Sequence, residues 1–149
     1  MKIEEAIKQK KFKDPYNKAL VNLLYTNSYI VAKQGKLFKP YGLSPEQYNV
    51  LRILRGKHPE PITVSSIQDR MLNKMSNASR LVEKLKQKNF VNRVECPSDR
   101  RQVDITITDK GLSTLDKLEE KVNQFNRDIL NLEERDLNQL NDLLDKLRG

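Results

Sequence analysis

Between residues 63 and 89 the sequence contains two short helical patterns separated by only a few residues. Thr63 is a good N-cap for a first helix that extends to about Leu72. A second helix begins near Ser76, with Asn73 and Ser76 as alternative caps, and it fades at Asn89, a residue that tolerates the left-handed backbone. The inward-facing apolar residues are Val64, Ile67 and Met71 in the first helix and Ala78, Leu81, Val82 and Leu85 in the second. Two such helices joined by a tight connection predict a helix-turn-helix.

Two strand patterns follow these helices. Phe90–Glu95 is predicted to be one strand, and Gln102–Ile107 is predicted to be its partner because apolar and polar residues alternate along it. Cys96–Arg101 then forms a six-residue hairpin loop. We call the hairpin of residues 90–107 the wing. A helix-turn-helix followed by a wing is a winged helix, so the expected fold class is mainly α, with a small β component (α+β).

Further helical patterns flank this region. A broad apolar stripe covers Tyr16–Phe38 and ends before Pro40, and Ser44 with Gln47 forms a capping box for the next helix. Thr108 and Asp109 are typical of a helix start. Apolar residues then recur every three or four positions from Leu112 to Leu132 and again from Leu137 to Leu147. Such narrow stripes on long helices favour association with another helix.

Positive charge is concentrated in the middle of the chain, whose overall net charge is +8. Residues 70–101 contain 9 basic and 3 acidic side chains, whereas residues 102–149 contain 7 basic and 11 acidic ones. A basic segment within a less basic chain indicates a polyanionic partner for that segment.

The second helix of the helix-turn-helix places Ser76, Asn77, Ser79 and Arg80 near its N-terminal end. An α-helix fits the major groove of DNA, and side chains at the start of a recognition helix reach the base edges. Arginine forms two hydrogen bonds with guanine, and asparagine does so with adenine. Lys84, Lys86 and Lys88 follow on the polar face, where flexible lysines suit phosphate contacts.

At the tip of the wing, Asp99 is followed by Arg100 and Arg101. A hairpin tip beside a recognition helix would lie over an adjacent minor groove, where A·T-rich sequence concentrates negative potential and attracts arginine. We expect the Asp99 carboxylate to hold an arginine side chain through a charge-assisted hydrogen bond.

The segment Ser79–Gly111, "SRLVEKLKQKNFVNRVECPSDRRQVDITITDKG", resembles the winged-helix core of the MarR family of bacterial transcription regulators. The resemblance rests on an ordered motif, and every element of it is present. The motif residues are Asp99, Arg101, Ile105, Ile107, Thr108 and Gly111. One departure is Asn89, where relatives commonly have glycine; asparagine tolerates the same backbone.

The resemblance implies a single MarR-type domain over residues 1–149. Residues 43–108 would form the DNA-binding lobe, and residues 1–40 and 109–149 would form a helical dimerisation region. It also implies a homodimer that binds pseudo-palindromic double-stranded DNA operators, often represses nearby genes, and releases DNA when a small phenolic or anionic effector binds between the two regions. The implied DNA contacts are Thr63, Ser65, Lys74, Ser76, Asn77, Ser79, Arg80, Lys84, Asp99, Arg100 and Arg101. The implied dimer contacts are Leu20, Leu24, Phe125, Ile129, Leu132, Leu137, Leu140 and Leu144. Tyr25, Tyr29 and Tyr48 are candidates for the effector pocket.

An enzyme is not expected. The chain has one histidine, His58, and one cysteine, Cys96, with no catalytic grouping around them. One residue of each type cannot complete a four-ligand zinc site, so we expect no metal and no cofactor. We also expect no redox role for Cys96. Two alternatives to a specific regulator stay open: a sequence-tolerant architectural or RNA-binding module, and a protein-interaction module.

The N-terminal segment lacks the apolar core of a secretory signal, and no apolar run is long enough to cross a bilayer. A single cysteine rules out an internal disulfide framework and suits a reducing compartment. The sequence therefore predicts a cytoplasmic protein without a membrane partner.

Overall fold

The computed structural model describes the backbone of residues 1–149 and every side chain except that of Arg100. The chain divides into two compact units, Met1–Leu112 and Ser113–Gly149. The helices are α1 (Ile3–Ala6), α2 (Pro15–Phe38), α3 (Pro45–Lys57), α4 (Val64–Arg70), α5 (Ala78–Gln87), α6 (Asp109–Ile129) and α7 (Glu134–Arg148), and the strands are β1 (Ile62–Thr63), β2 (Val91–Cys96) and β3 (Asp99–Ile107). The expected fold class, a mainly helical chain with a wing, is confirmed. The first unit contains α2 together with α4 and α5, and the dimerisation region of residues 1–40 and 109–149 stays a prediction.

The helix-turn-helix consists of α4 and α5. Thr63 caps α4 as predicted, because its hydroxyl accepts a hydrogen bond from the Ser66 N–H at 3.2 Å. Neither predicted cap of α5 is correct: the cap is Asn77, whose side chain accepts from the Arg80 N–H at 3.0 Å. Asn73 cannot take this role because its side-chain oxygen accepts from the Met75 N–H. The helix therefore begins two residues later than the sequence predicts.

The end of α5 agrees with the prediction. Asn89 has a φ of +63°, and the Phe90 N–H bonds the Leu85 carbonyl at 3.0 Å. This is the arrangement in which a left-handed residue closes the last helical turn. Asparagine at this position therefore fills the place that glycine commonly has in relatives.

The wing is built differently from the prediction. β1 pairs with β3, which pairs with β2, in a three-stranded antiparallel sheet, and β1 was not predicted. The prediction of a six-residue loop at Cys96–Arg101 is wrong, because Cys96 pairs with Asp99 and only two residues separate the strands. The pairing register jumps from Glu95–Val103 to Cys96–Asp99. Residues 100–102 of β3 are therefore extra residues in a bulge, which bends the strand tip and re-aims its side chains.

The helix α3 begins with the predicted capping box. The Gln47 N–H donates to the Ser44 hydroxyl, and the Ser44 N–H donates to Gln47 Oε1, both at 3.1 Å. Gly42 precedes this helix with a φ of +70°, a conformation that glycine adopts without strain. The sequence analysis did not identify the short helix α1.

The core of the first unit lies between α3, α4, α5 and the sheet. Its fully or nearly fully buried side chains include Val50, Leu51, Leu54, Ile67, Met71, Ala78, Val82, Leu85, Phe90, Val91, Ile105 and Ile107. They fix the positions of α5 and the wing within one packed unit. In the C-terminal part, α6 ends at Ile129, so Leu132 lies in the link before α7 and not at the end of the predicted helix.

Candidate nucleic-acid interface

The exposed face of α5 carries Ser79, Arg80, Glu83 and Lys84. The opposite face is apolar and buried, so packing determines which side chains point to solvent. Asn77 is exposed, but its side-chain oxygen already caps the helix. The hydroxyl oxygen of Ser76 is buried and has no hydrogen-bond partner among the described residues. Of the residues that the sequence predicts to contact bases, Ser79 and Arg80 are therefore the best placed to enter a groove of DNA.

The lysines differ in their availability. Lys84 and Lys86 are exposed on α5. Lys88, by contrast, donates to the Gly42 carbonyl at 2.6 Å and to Gln47 Oε1 at 3.3 Å. It therefore links the end of α5 to the segment at the start of α3, and its expected contact with phosphate stays a prediction. The ammonium of Lys74 donates to the Asp69 carbonyl oxygen.

In the wing, Asp99 acts on the backbone. Its carboxylate accepts a hydrogen bond from the Arg101 N–H at 2.9 Å, not from a described guanidinium. The carboxylate thus holds the backbone at the start of the bulge, by the same local hydrogen bond that aspartate commonly makes in turns. The Arg101 side chain is exposed, and the Arg100 side chain lies outside the described residues.

A polar groove of 620 Å³ lies between α4, α5 and the wing. Three hydroxyl residues, Thr63, Ser65 and Ser79, line it together with Arg93, Asp99 and Arg101. The structure thus brings predicted contact residues from three separate elements to one groove. Hydroxyls and guanidinium groups around a groove form a surface suited to phosphate oxygens.

Arg93 is a site residue that the sequence analysis missed. It lies on β2, and its Nη1 atom is 3.8 Å from Glu83 Oε2 on α5. Successive side chains of a strand alternate between its faces, so Arg93 shares a face with the buried Val91. That alternation predicts the face of β2 on which Arg93 lies, but it does not predict the contact of that face with α5.

A larger open cleft of 1020 Å³ borders the other side of α5. Its lining includes Ile30, Val31, Gln34, Leu72, Met75, Arg80 and Lys84. None of the three tyrosines proposed for an effector pocket lines this cleft. The ring of Tyr48 instead stacks on Phe38 with centroids 4.2 Å apart, because both residues pack where α2 meets α3. Tyr25 is half-buried and Tyr29 is 47% exposed.

The predicted dimer contacts are at least partly exposed in a single protomer. In the first unit, Leu20 and Leu24 on α2 are 57% and 62% exposed. In the second unit, Leu132 and Leu140 are exposed, and the remaining predicted contacts are half-buried. These remaining contacts are Phe125, Ile129, Leu137 and Leu144.

Cys96 lies at the end of β2 with its Sγ 3.1 Å from the Ser98 hydroxyl oxygen. This hydrogen bond lowers the pKa of the Cys96 thiol, with further contributions from the backbone at Ser98 and Asp99.

Among the described residues, no group of three or more His, Cys, Asp or Glu side chains could hold a metal ion. None of the described helices has the length and hydropathy that a membrane span requires.

Comparison with known proteins identifies relatives of this chain. A family model described as the MarR family matches residues 43–103. The transcriptional repressor MdtR of Bacillus subtilis is 39% identical over 70 residues, which are 47% of this chain and 44% of that protein. The chain spans about half the length of several other curated relatives that it matches.

Solved structures extend the similarity over nearly the whole chain. A MarR transcription factor from Planctomyces limnophilus is 31% identical, with a TM-score of 0.70, and the match covers 93% of this chain and 98% of that one. A point mutant of Escherichia coli MarR, solved with operator DNA, shares the fold at 21% identity with a TM-score of 0.76, over 92% of this chain and 100% of that one. The family consists of transcription regulators and not of enzymes. With full-length similarity to a MarR factor and a matching family model over the winged helix, the chain belongs to the MarR family.

Proposed function

We propose that this protein is a homodimeric transcription regulator that binds a pseudo-palindromic DNA site in the cytoplasm, represses nearby genes and releases DNA when a small molecule binds. The observation that carries the proposal is the 620 Å³ groove, where α4, α5 and the bulged wing bring hydroxyl and guanidinium groups together. The E. coli relative solved with operator DNA supports this proposal.

The exposed face of α5 enters the major groove. Arg80 reads guanine through O6 and N7, and Ser79 contacts a neighbouring base or phosphate. Thr63 and Ser65, at the start of α4, bind the phosphate backbone on the wing side of the helix. Arg101 extends from the bulge towards the adjacent minor groove, where an A·T-rich sequence gives the strongest attraction.

Dimerisation supplies the second half-site. The first unit exposes Leu20 and Leu24 on α2, and the second unit exposes Leu140, Leu143 and Leu147 on α7. Exposed apolar side chains at helical spacing mark surfaces that a partner buries. A second copy of the chain would bury both sets and place two recognition helices about one turn of DNA apart.

The position of the 1020 Å³ cleft supports release by an effector. Ile30 and Val31 supply an apolar wall, and Arg80 and Lys84 supply positive charge, which together suit a small aromatic anion. A ligand there would compete with DNA for Arg80 and Lys84. The name of MdtR, a transcriptional repressor, supports repression as the direction of control.

Selection of bound duplexes from a random pool tests the proposal. We expect a recovered palindrome whose half-sites are centred about 10 base pairs apart, because a two-fold symmetric dimer reads one face of the duplex. Nearly equal affinity for recovered and random duplexes would instead identify a sequence-tolerant architectural module. Binding of single-stranded or duplex RNA in preference to DNA would also contradict the proposal.

Two variants on α5 separate base reading from phosphate binding. Arg80→Ala is expected to cost about 1–3 kcal/mol on the recovered duplex and to relax the preference at one base position of each half-site. Lys86→Ala is expected to weaken binding to all sequences alike and to reduce the dependence on salt. Fluorescence anisotropy on recovered and random duplexes measures both effects. Equal losses on the two duplexes for Arg80→Ala would show that Arg80 does not read a base.

A further inference from the structure

The connection between α4 and α5 presents two large apolar side chains to solvent. Leu72 is 86% exposed and Met75 is 92% exposed, and both lie within six residues of the start of α5. A single exposed apolar residue is ordinary in a folded protein. Here two of them lie beside the recognition helix, within a basic segment. This combination matches a partner that is polyanionic and carries apolar groups.

Hydrogen bonds hold the backbone of the connection in place at Leu72 and Met75. The Leu72 N–H donates to Asn49 Oδ1 on α3, and the Met75 N–H donates to Asn73 Oδ1, both at 3.0 Å. The Asn73 side chain also reaches Glu46 Oε1 on α3 at 3.4 Å. The backbone is therefore ordered before binding, which lowers the entropic cost of a contact made by Leu72 or Met75.

The neighbours of these side chains indicate the partner. Leu72 and Met75 line the same cleft as three of the candidate DNA contacts, which are the α5 cap Asn77 and the α5 residues Arg80 and Lys84. Residues 70–101 contain 9 basic and 3 acidic side chains, which favours a polyanion over a second copy of the chain as the occupant. Within the major groove of DNA, the apolar group on a base edge is the C5-methyl of thymine, which only A·T base pairs carry.

We propose that Leu72 and Met75 read thymine methyl groups in the major groove, beside the bases that α5 reads. This inference rests on the proposed DNA binding and adds specificity determinants to it. It predicts thymines at defined positions of each half-site, next to the base pair that Arg80 contacts. Burial of one methyl group against an apolar side chain is worth about a fourfold change in affinity.

Replacement of thymine by deoxyuridine tests this directly, because it removes the methyl group and leaves base pairing unchanged. The best duplex recovered from the random pool is resynthesised with deoxyuridine at one thymine at a time. We expect about fourfold weaker binding by the wild-type protein at one or two thymines in each half-site. At other thymines, the substitution is expected to have no effect.

Variants then assign the methyl contacts to the two side chains. In Met75→Gln and Leu72→Gln, a polar amide replaces the apolar end of the side chain, so the deoxyuridine penalty at the corresponding thymine should disappear. Met75→Leu is the matched control and should keep the penalty. Both side chains are exposed, so circular dichroism is expected to show unchanged folding for all three variants.

Two results would overturn the inference while leaving the proposed function standing. One is a deoxyuridine penalty that is equal in the wild type and in both glutamine variants. The other is loss of the dimer in those variants, measured as a lower mass in solution, without a change in the deoxyuridine penalty. That result would assign this surface to a second copy of the chain. Failure to recover any enriched duplex would instead remove the proposed function itself, and the inference with it.

Discussion

Replacement of Gly111 with alanine is expected to lower the free energy of unfolding by about 1–3 kcal/mol. A Cβ atom at this position would lie 2.6 Å from the Phe90 carbonyl oxygen and 2.6 Å from Ile107 Cγ1. The Phe90 carbonyl cannot move away easily, because it accepts the Thr108 N–H at 3.0 Å. The overpacking would therefore exceed the gain of about 1 kcal/mol that alanine normally gives in a helix. Urea unfolding measures the difference.

Gly35→Ala is the matched control for this prediction. Gly35 lies inside α2, where an added Cβ meets no atom within 4 Å, so alanine should stabilise the protein by about 0.5–1 kcal/mol. A stabilising Gly111→Ala variant would show that the junction between the wing and α6 relaxes, and that steric crowding does not explain a glycine there.

The same junction explains the last part of the sequence motif. The Thr108 hydroxyl accepts from the Gly111 N–H at 3.1 Å and lies 2.8 Å from the Asn89 carbonyl, to which it donates. Thr108 thus caps α6 and ties its start to the end of α5. Threonine and glycine three residues apart therefore have a structural role in this motif, because they fix the junction that follows the wing.

Features set by neighbouring residues were predictable from the sequence. The cap at Thr63, the capping box at Ser44 and the helix stop at Asn89 each depend on residues within a few positions. Helix caps and stops are local hydrogen-bonding decisions, so their residue types predict them. The cap of α5 was mispredicted because three nearby residues, Asn73, Ser76 and Asn77, all have suitable side chains.

Features set by distant residues were not predictable in the same way. The hydrogen bond from Lys88 to the Gly42 carbonyl was not predicted, because Gly42 lies 46 positions away in sequence. The wing loop was mispredicted because a bulge depends on how two strands pair, and alternation in one strand does not reveal the pairing. Arg93 was missed for a related reason, since its contact with Glu83 joins a strand to a helix.

Charge reversal at the wing tip is expected to have the largest effect on function. Arg101→Glu should weaken binding to the selected duplex at least about 30-fold, because each of two wings loses an arginine contact worth about 1–3 kcal/mol and gains a charge that phosphates repel. The slope of log affinity against log salt should become shallower by about two, since each protomer loses a positive charge that releases counterions from the DNA. Fluorescence anisotropy at several salt concentrations measures both quantities.

Arg135→Glu is the control, because it makes the same change in net charge at an exposed arginine of α7, outside the groove. If the wing acts locally, this variant keeps most of the affinity and the preference for A·T-rich flanks, whereas Arg101→Glu loses both. If the two variants weaken binding equally, Arg101 acts only through the overall charge of the protein, and the bulge has no role in placing Arg101 in a minor groove. The Asp99 hydrogen bond gives a reason to expect the first result, since it orders the backbone from which Arg101 extends.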